Sequence, residues 1–137
     1  MATAAAAESV AGAGGDAAPP TDPIVQYIAV RKDLATSGWP AGAVMAQACH
    51  ASTAALHLFR ELDDTQAYLE DLDNMHKVVV GVKSETQLRN LAGKLTEADV
   101  PHKLWVEQPE NYATSLATAP ARRSALAPSF KRFNLLK

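Results

Sequence analysis

Ile24-Val25-Gln26-Tyr27-Ile28-Ala29-Val30, which follows Pro23, is a continuous run of β-branched, aromatic and small apolar residues, and its reading decides the class of the fold. A strand that is apolar without alternation suits burial on both faces, which requires helices on either side of its sheet. Arg31-Lys32-Asp33 ends the run and a Gly38-Trp39-Pro40 turn follows. Proline fits the first turn of a helix, where its missing N–H costs nothing. Residues 41–61 are rich in alanine and free of further proline, so the spacing predicts a long helix whose small side chains let it lie close to the sheet.

The rest of the chain repeats this alternation. A second, acidic helix is expected over residues 65–72, with Asp63 or Asp64 as its N-cap. Residues 76–82 read as the second strand. Ser84 and Gln87 have the spacing of a capping box, and Leu88, Leu91, Ala92 and Leu95 then recur at helical intervals. Residues 102–107 read as a third strand, 108–111 as a loop, 112–118 as a fourth strand and 121–133 as a weaker helix that Pro128 interrupts or begins. Leu135 and Leu136 suit a short closing strand. These elements imply an α/β domain of three layers, a small mixed four-stranded sheet covered by helices. Strands joined through helices run parallel, and the short link from the third to the fourth strand favours an antiparallel or edge pairing. Sites in such sheets lie at the carboxyl ends of the parallel strands. Residues 31–40 with the first helix start, residues 83–84 and residues 107–111 are therefore expected to meet there.

With 137 residues the chain suits one domain. Residues 1–23 are mostly Ala, Gly, Pro, Ser and Thr, with three acids and no Lys or Arg, a composition that reads as a disordered leader preceding a domain over 24–137. It lacks the bases of a transit peptide and the apolar core of a secretory signal, so a cytoplasmic setting is expected, with organelle import the weaker alternative. No apolar run approaches the ~20 residues that span a bilayer, so no membrane partner is expected. Cys49 is the single cysteine, which excludes an internal disulfide and suits a reducing compartment. All 13 Lys and Arg and 12 of the 15 Asp and Glu follow residue 23, so the domain carries a net +1. Five bases and no acid lie between Asn111 and Lys137, among them Arg122 and Arg123. Such a basic end can hold a phosphate backbone or can simply be solvated surface.

Several segments together resemble the type II peptidyl-tRNA hydrolases. The first strand closes on Arg31-Lys32-Asp33-Leu34, similar to the family's Arg-x-Asp-Leu ending. The first helix carries Gly42-Ala43-Val44-Met45-Ala46-Gln47-Ala48-Cys49-His50-Ala51, similar to a Gly followed by Ala-Ala-Gln-x-x-His-Ala. Lys77-Val78-Val79-Val80 and the helix over residues 85–91 follow in the family's order. Trp39-Pro40-Ala41-Gly42 and Trp105-Val106-Glu107-Gln108-Pro109-Glu110-Asn111 resemble a divergent branch, the peptidyl-tRNA hydrolase domain-containing proteins. The resemblance implies hydrolysis of the ester between a peptide and the 3′ ribose of tRNA, with peptidyl-tRNA or tRNA as partner, no metal, no organic cofactor, and a homodimer as a compatible assembly. It also implies lysines before and after the helix-start Gly and an Asp and a Thr in the loop after the third strand. Here Ala41 and Ala43 occupy the lysine positions, the Asp position falls at or near Gln108, and the Thr position falls near Glu110 or Asn111.

Ester hydrolysis needs an activated water and a donor for the developing oxyanion. The catalytic candidates are Gln47, His50, Glu107, Glu110 and Asn111. Gln47 can bond substrate and His50 can act as base or orient a loop, or Gln47 and His50 can bond loop backbone and close the helix onto the sheet. Glu107 or Glu110 can serve as general base, or both can belong to a solvated loop with Asn111 making its turn. Candidates for binding substrate RNA are Arg31, Lys32, Trp39, Gln108, Arg122 and Arg123. Arg31 can equally pair with Asp33. Trp39 in its turn is the better candidate for stacking on a base, whereas Trp105 in its apolar strand reads as core. Cys49 reads as a small buried residue rather than a nucleophile. The alternative to an enzyme is a non-catalytic tRNA- or protein-binding module of the same fold.

Overall fold

The apolar run after Pro23 forms β1 (Ile24–Arg31), six of whose eight residues are buried, as a central strand requires. β1 pairs in parallel with β2 (Lys77–Val82) on one side and antiparallel with β4 (Tyr112–Thr118) on the other. β3 (His102–Glu107) pairs antiparallel with β4 at the far edge, giving the order β2-β1-β4-β3. β1, β2 and β3 thus share one direction, and their carboxyl ends lie at one end of the sheet. The computed structural model describes residues 21–137, so the leader reading for residues 1–20 lies outside the described residues. Asp22 and Pro23 do bond to the domain, so its contacts begin two residues earlier than the composition suggested.

The sheet gains a fifth strand beyond the four expected. β5 (Ala121–Arg122) is two residues long and pairs with the start of β1, Ile24 opposite Arg122 and Val25 opposite Ala121. The expected closing strand is a single bridge, Leu135 to Val80, flanked by Gly81 N–H donating to Asn134 O and Leu136 N–H donating to Val79 O. These bonds cover part of the outer edge of β2.

Helices cover both faces. On one face lies α2 (Ala41–Leu58), whose Ala51 and Ala55 are fully buried against Ile28, Val30 and Ala117. Alanine there lets the helix approach the sheet, as the composition implied. A single helical turn, α1 (Asp33–Thr36), precedes it and was not foreseen. α3 (Asp63–Glu70) begins two residues before the expected start, because Asp63 and Asp64 occupy its first turn and Leu62, with no capping side chain, is its N-cap. On the other face lie α4 (Glu85–Glu97) and α5 (Arg123–Phe130), which bury Leu88, Leu91, Leu95, Leu126 and Phe130 against the sheet. Ser84 Oγ accepts from Gln87 N–H at 3.2 Å, and Gln87 Oε1 accepts from Lys83 N–H at 2.6 Å, so the expected capping box closes one residue upstream of its usual return bond. α5 is shorter than expected and runs through Pro128 to Phe130. Only one helical bond is lost to the proline, and Phe130 anchors the end by stacking on Tyr27 with ring centroids 4.5 Å apart.

Candidate functional site

The three segments expected to converge do converge. Arg31 pairs with Val82 in register, so the chain leaving β1 and the chain entering α4 start side by side. Glu107 ends β3 at the same end of the sheet. Between α1 and α2, Gly38 has φ +95° and reverses the chain so that Trp39 and Pro40 lead into the helix. An open cleft of about 500 Å³ results, lined by Ser37, Gly38, Trp39, Pro40, Ala43, Ala46, Gln47, His50, Glu107 and Glu110.

A chain of hydrogen bonds backs this cleft. Glu107 Oε1 accepts from the Trp105 indole at 3.0 Å and Oε2 accepts from Gln47 Nε2 at 3.2 Å. Gln47 Oε1 in turn accepts from Thr114 Oγ1 at 2.7 Å, and Gln47 backbone O accepts from Ser115 Oγ at 2.7 Å. Gln47, Thr114 and Ser115 are all buried. The His50 ring stacks on Trp105 with centroids 4.7 Å apart and planes 24° apart. The Trp105 and Gln47 donors, helped by nearby His50, hold the Glu107 carboxyl below its ordinary range against a small opposing effect of burial. Glu107 is therefore an ionised, fixed carboxylate at the wall of a cleft.

A local irregularity makes this possible. Trp105 pairs with Ser115 and Val106 pairs with Ala113, so the register skips Thr114. Such a bulge re-aims side chains. Thr114 and Ser115, adjacent in sequence, both turn to the α2 face and fasten Gln47. In a regular strand one of the two would face α4.

Trp39, Gln47, His50, Glu107 and Glu110 come together at the cleft as the sequence suggested. Gln47 bonds side chains of β3 and β4 rather than loop backbone, and His50 stacks on an indole rather than bonding a loop. Trp105 is half-buried: it packs against the core cluster of Ile28, Val30, Ala51, Ala55 and Ala117, and its indole N–H reaches Glu107. Cys49 is exposed, contrary to expectation, because it lies on the outer side of α2. Asn111 (φ 59°) and Gln108 form the exposed turn beyond Glu107, bonded to each other at 3.4 Å, and line no part of the cleft.

The expected cations are placed elsewhere. Arg31 is a strut, its side chain only 13% exposed. Its Nε and Nη2 donate to Asp33 at 3.0 and 2.8 Å, and Nη1 donates to Ala113 O at 3.1 Å. Glu85, 3.9 Å away, accepts from Ala113 N–H and from Arg89. These bonds tie β1, α1, α4 and β4 together at the site end and engage all three guanidinium nitrogens of Arg31 within the fold. Lys32 is exposed, and its stem crosses Gly81, where an added Cβ would meet Lys32 Cγ and Cδ at 2.7 Å. Arg122 and Arg123 flank the start of β1, so roughly 20 Å of strand separates them from the cleft. No lysine or arginine lines the cleft.

The amino-terminal end of α2 also borders the cleft. The 18-residue helix starts at Ala41 with no side-chain cap and no acid in its first turn. Its leading N–H groups carry the positive end of the helix dipole beside Pro40 and Ala43, both at the cleft. The residue of this candidate site that the sequence reading did not name is Thr114, which fastens Gln47. The available signal was the adjacent Thr114-Ser115 hydroxyl pair inside the strand, since buried hydroxyls need partners.

The chain matches the family Peptidyl-tRNA hydrolase PTH2 over residues 24–136. It is 47% identical over 116 residues to the protein named "Putative peptidyl-tRNA hydrolase PTRHD1" of Mus musculus, a match covering 83% of each chain. The protein of the same name in Homo sapiens matches to the same extent.

Proposed function

Because the chain belongs to the PTH2 peptidyl-tRNA hydrolase family, we propose that it hydrolyses the ester joining a peptide to the 3′ ribose of tRNA, in the cleft beside Glu107. The observation that carries this reading is the Trp105–Glu107–Gln47–Thr114 chain, which fixes an ionised carboxylate opposite the amino-terminal end of α2. Glu107 takes a proton from a water as that water's oxygen attacks the ester carbonyl carbon. The carbonyl electrons move onto oxygen, and the uncapped N–H groups of the α2 first turn stabilise the oxyanion. Collapse breaks the bond to the ribose oxygen, which recovers the proton from Glu107. The products are a peptide carboxylate and a tRNA with a free hydroxyl.

The helix terminus substitutes for lysines at positions 41 and 43, where this chain has alanine. The low pKa of Glu107 keeps it ionised and makes it a weaker base than one poised near neutrality, so turnover is slow. Trp39 and Pro40 at the cleft mouth supply an apolar surface for the terminal adenine. His50 and its stack on Trp105 hold the indole against Glu107. A cytoplasmic setting belongs to the same reading, since exposed Cys49 suits a reducing compartment. No helix among the described residues is long and apolar enough to cross a membrane.

A second reading is a tRNA- or protein-binding module without turnover; the cleft holds two carboxylates, Glu107 and Glu110, and no lysine or arginine, which disfavours a phosphate backbone there and favours the protein-binding form. Purified protein incubated with peptidyl-tRNA decides between them. Release of peptide that Glu107→Gln abolishes supports the hydrolase. Salt-dependent tRNA binding without release supports the RNA-binding module, and neither release nor binding leaves a protein-binding role.

A further inference from the structure

Far from the cleft, the chain entering β1 is fastened to the start of α5 by a clasp of hydrogen bonds. Asp22 Oδ1 accepts from Ser124 N–H at 2.9 Å and Oδ2 accepts from Ser124 Oγ at 2.6 Å. Asp22 O accepts from Arg122 Nη1 at 3.1 Å, and Pro23 O accepts from Arg123 N–H at 2.9 Å. α5 has no capping side chain at its own N-cap, Arg122. The Asp22 carboxylate, 102 residues away, performs that task. The Ser124 bonds hold the Asp22 carboxyl below the ordinary carboxylate range, which shows that the clasp favours the ionised form.

The serine in this clasp lies on the surface in a distinctive charge setting. Arg122, Arg123, Ser124 and Ala125 are four consecutive exposed residues. Ser124 is the one Ser or Thr in the chain preceded directly by two basic residues. Kinases that discriminate substrates by charge read such a pattern with acidic grooves.

We propose that Ser124 is a phosphorylation site for an arginine-directed serine kinase, and that its modification unfastens Asp22 and Pro23 from α5. In the transfer, Ser124 Oγ attacks the γ-phosphorus of ATP, the bond to the β-phosphate bridging oxygen breaks, the hydroxyl proton passes to the kinase base, and ADP leaves. The hydroxyl that donated to Asp22 no longer exists, and a group of about −1.5 to −2 charge faces the carboxylate instead. Repulsion expels Asp22. The phosphate itself, beside Arg122 and Arg123 and at the positive end of α5, takes over the cap. The helix therefore persists while the entry segment comes free, which is a switch at the attachment point of residues 1–20 and not an unfolding event. It is independent of whether the cleft is catalytic.

The test uses the full chain, ATP with magnesium, and a serine kinase that requires arginine on the amino-terminal side of its target. Peptide mass mapping should place one phosphate on Ser124, absent from Ser124→Ala and strongly reduced in an Arg122→Ala, Arg123→Ala double variant. Hydrogen exchange should then show the Arg123 amide, which is bonded to Pro23 O, exchanging about tenfold faster, the loss expected for a charge-assisted bond, while Leu126 and Phe130 keep their protection. Asp22→Ala without phosphate should give the same acceleration. No phosphate at Ser124, a phosphate there with unchanged exchange at Arg123, or wild-type exchange in Asp22→Ala would each overturn the proposal.

Discussion

Thr114→Val tests whether the site rests on a buried hydroxyl. Valine replaces threonine with nearly the same shape, so packing against α2 is kept and only the donor to Gln47 Oε1 is lost. Thr114 is fully buried and Gln47 is 2% exposed, so water cannot replace the bond. An unpaired buried acceptor costs about 1–3 kcal/mol. At roughly 4 °C per kcal/mol for a domain of this size, thermal unfolding should fall by roughly 4–12 °C. The site suffers as well, because Thr114 no longer anchors the amide that presents Nε2 to Glu107 Oε2, so one of that carboxylate's two donors is loosened. The Glu107 pKa should then rise toward its ordinary value, readable by carbon NMR of a labelled carboxyl. The sign follows from linkage. In the folded wild type the Glu107 pKa lies below its unfolded value, so the unfolded chain binds more protons and stability rises with pH through that window. The contribution is present above the ordinary glutamate range and lost as pH falls through the lowered value; Thr114→Val should shrink it. In a Gln47→Met background, where no amide remains to satisfy, Thr114→Val should cost little. An unchanged melting temperature, or the same loss in both backgrounds, would refute the reasoning.

Other outcomes follow from the same structure. Glu107→Gln should keep the fold and lower peptidyl-tRNA hydrolysis by about 10²–10³, measured in single-turnover assays, since a general base typically contributes that much; an unaltered rate moves the base elsewhere. Trp39→Ala should raise KM for peptidyl-tRNA with kcat nearly unchanged, because its ring lines the mouth of the cleft and touches no reacting atom. The Asp33 pKa is lowered chiefly by its bonds from Arg31, and the Glu85 pKa chiefly by the Ala113 amide. Both therefore stabilise the fold above the ordinary carboxylate range and lose that contribution as pH falls through their lowered values, so Asp33→Asn should flatten the dependence of the urea midpoint on acidic pH. Phe130→Ala should cost about 3–5 kcal/mol, measured by urea unfolding, because the residue is 2% exposed and stacks on Tyr27.

Much of the fold is legible in local sequence. The unbroken apolar run of β1, the Ser84 cap and the leucine spacing of α4 each declare an element through contacts within a few residues. The helix signature around Gln47 and His50 is likewise local, and it pointed to the family that the chain proved to belong to. The alanines at positions 41 and 43 were also readable, and so was the doubt they cast on a lysine-based mechanism.

The placement of polar side chains was not local. Arg31 follows an exposed-looking motif, yet Asp33 and the carbonyl of Ala113, 82 residues on, absorb its donors. Arg122 and Arg123 belong to a basic tail in sequence but sit at the end of the sheet away from the cleft, because β5 pairs with the start of β1. Cys49 took a different environment from the one composition suggested, since the facing of α2 sets its exposure, and Trp105 packs on the core only in part because β3 is an edge strand. Sequence by itself determined which segments become strands and helices, because hydrophobic periodicity and capping act over one or two turns. Tertiary structure alone decided that β4 enters between β1 and β3 and skips a register at Thr114. That insertion aims two neighbouring hydroxyls at Gln47, and a buried polar group takes its partner from whatever strand the fold lays beside it.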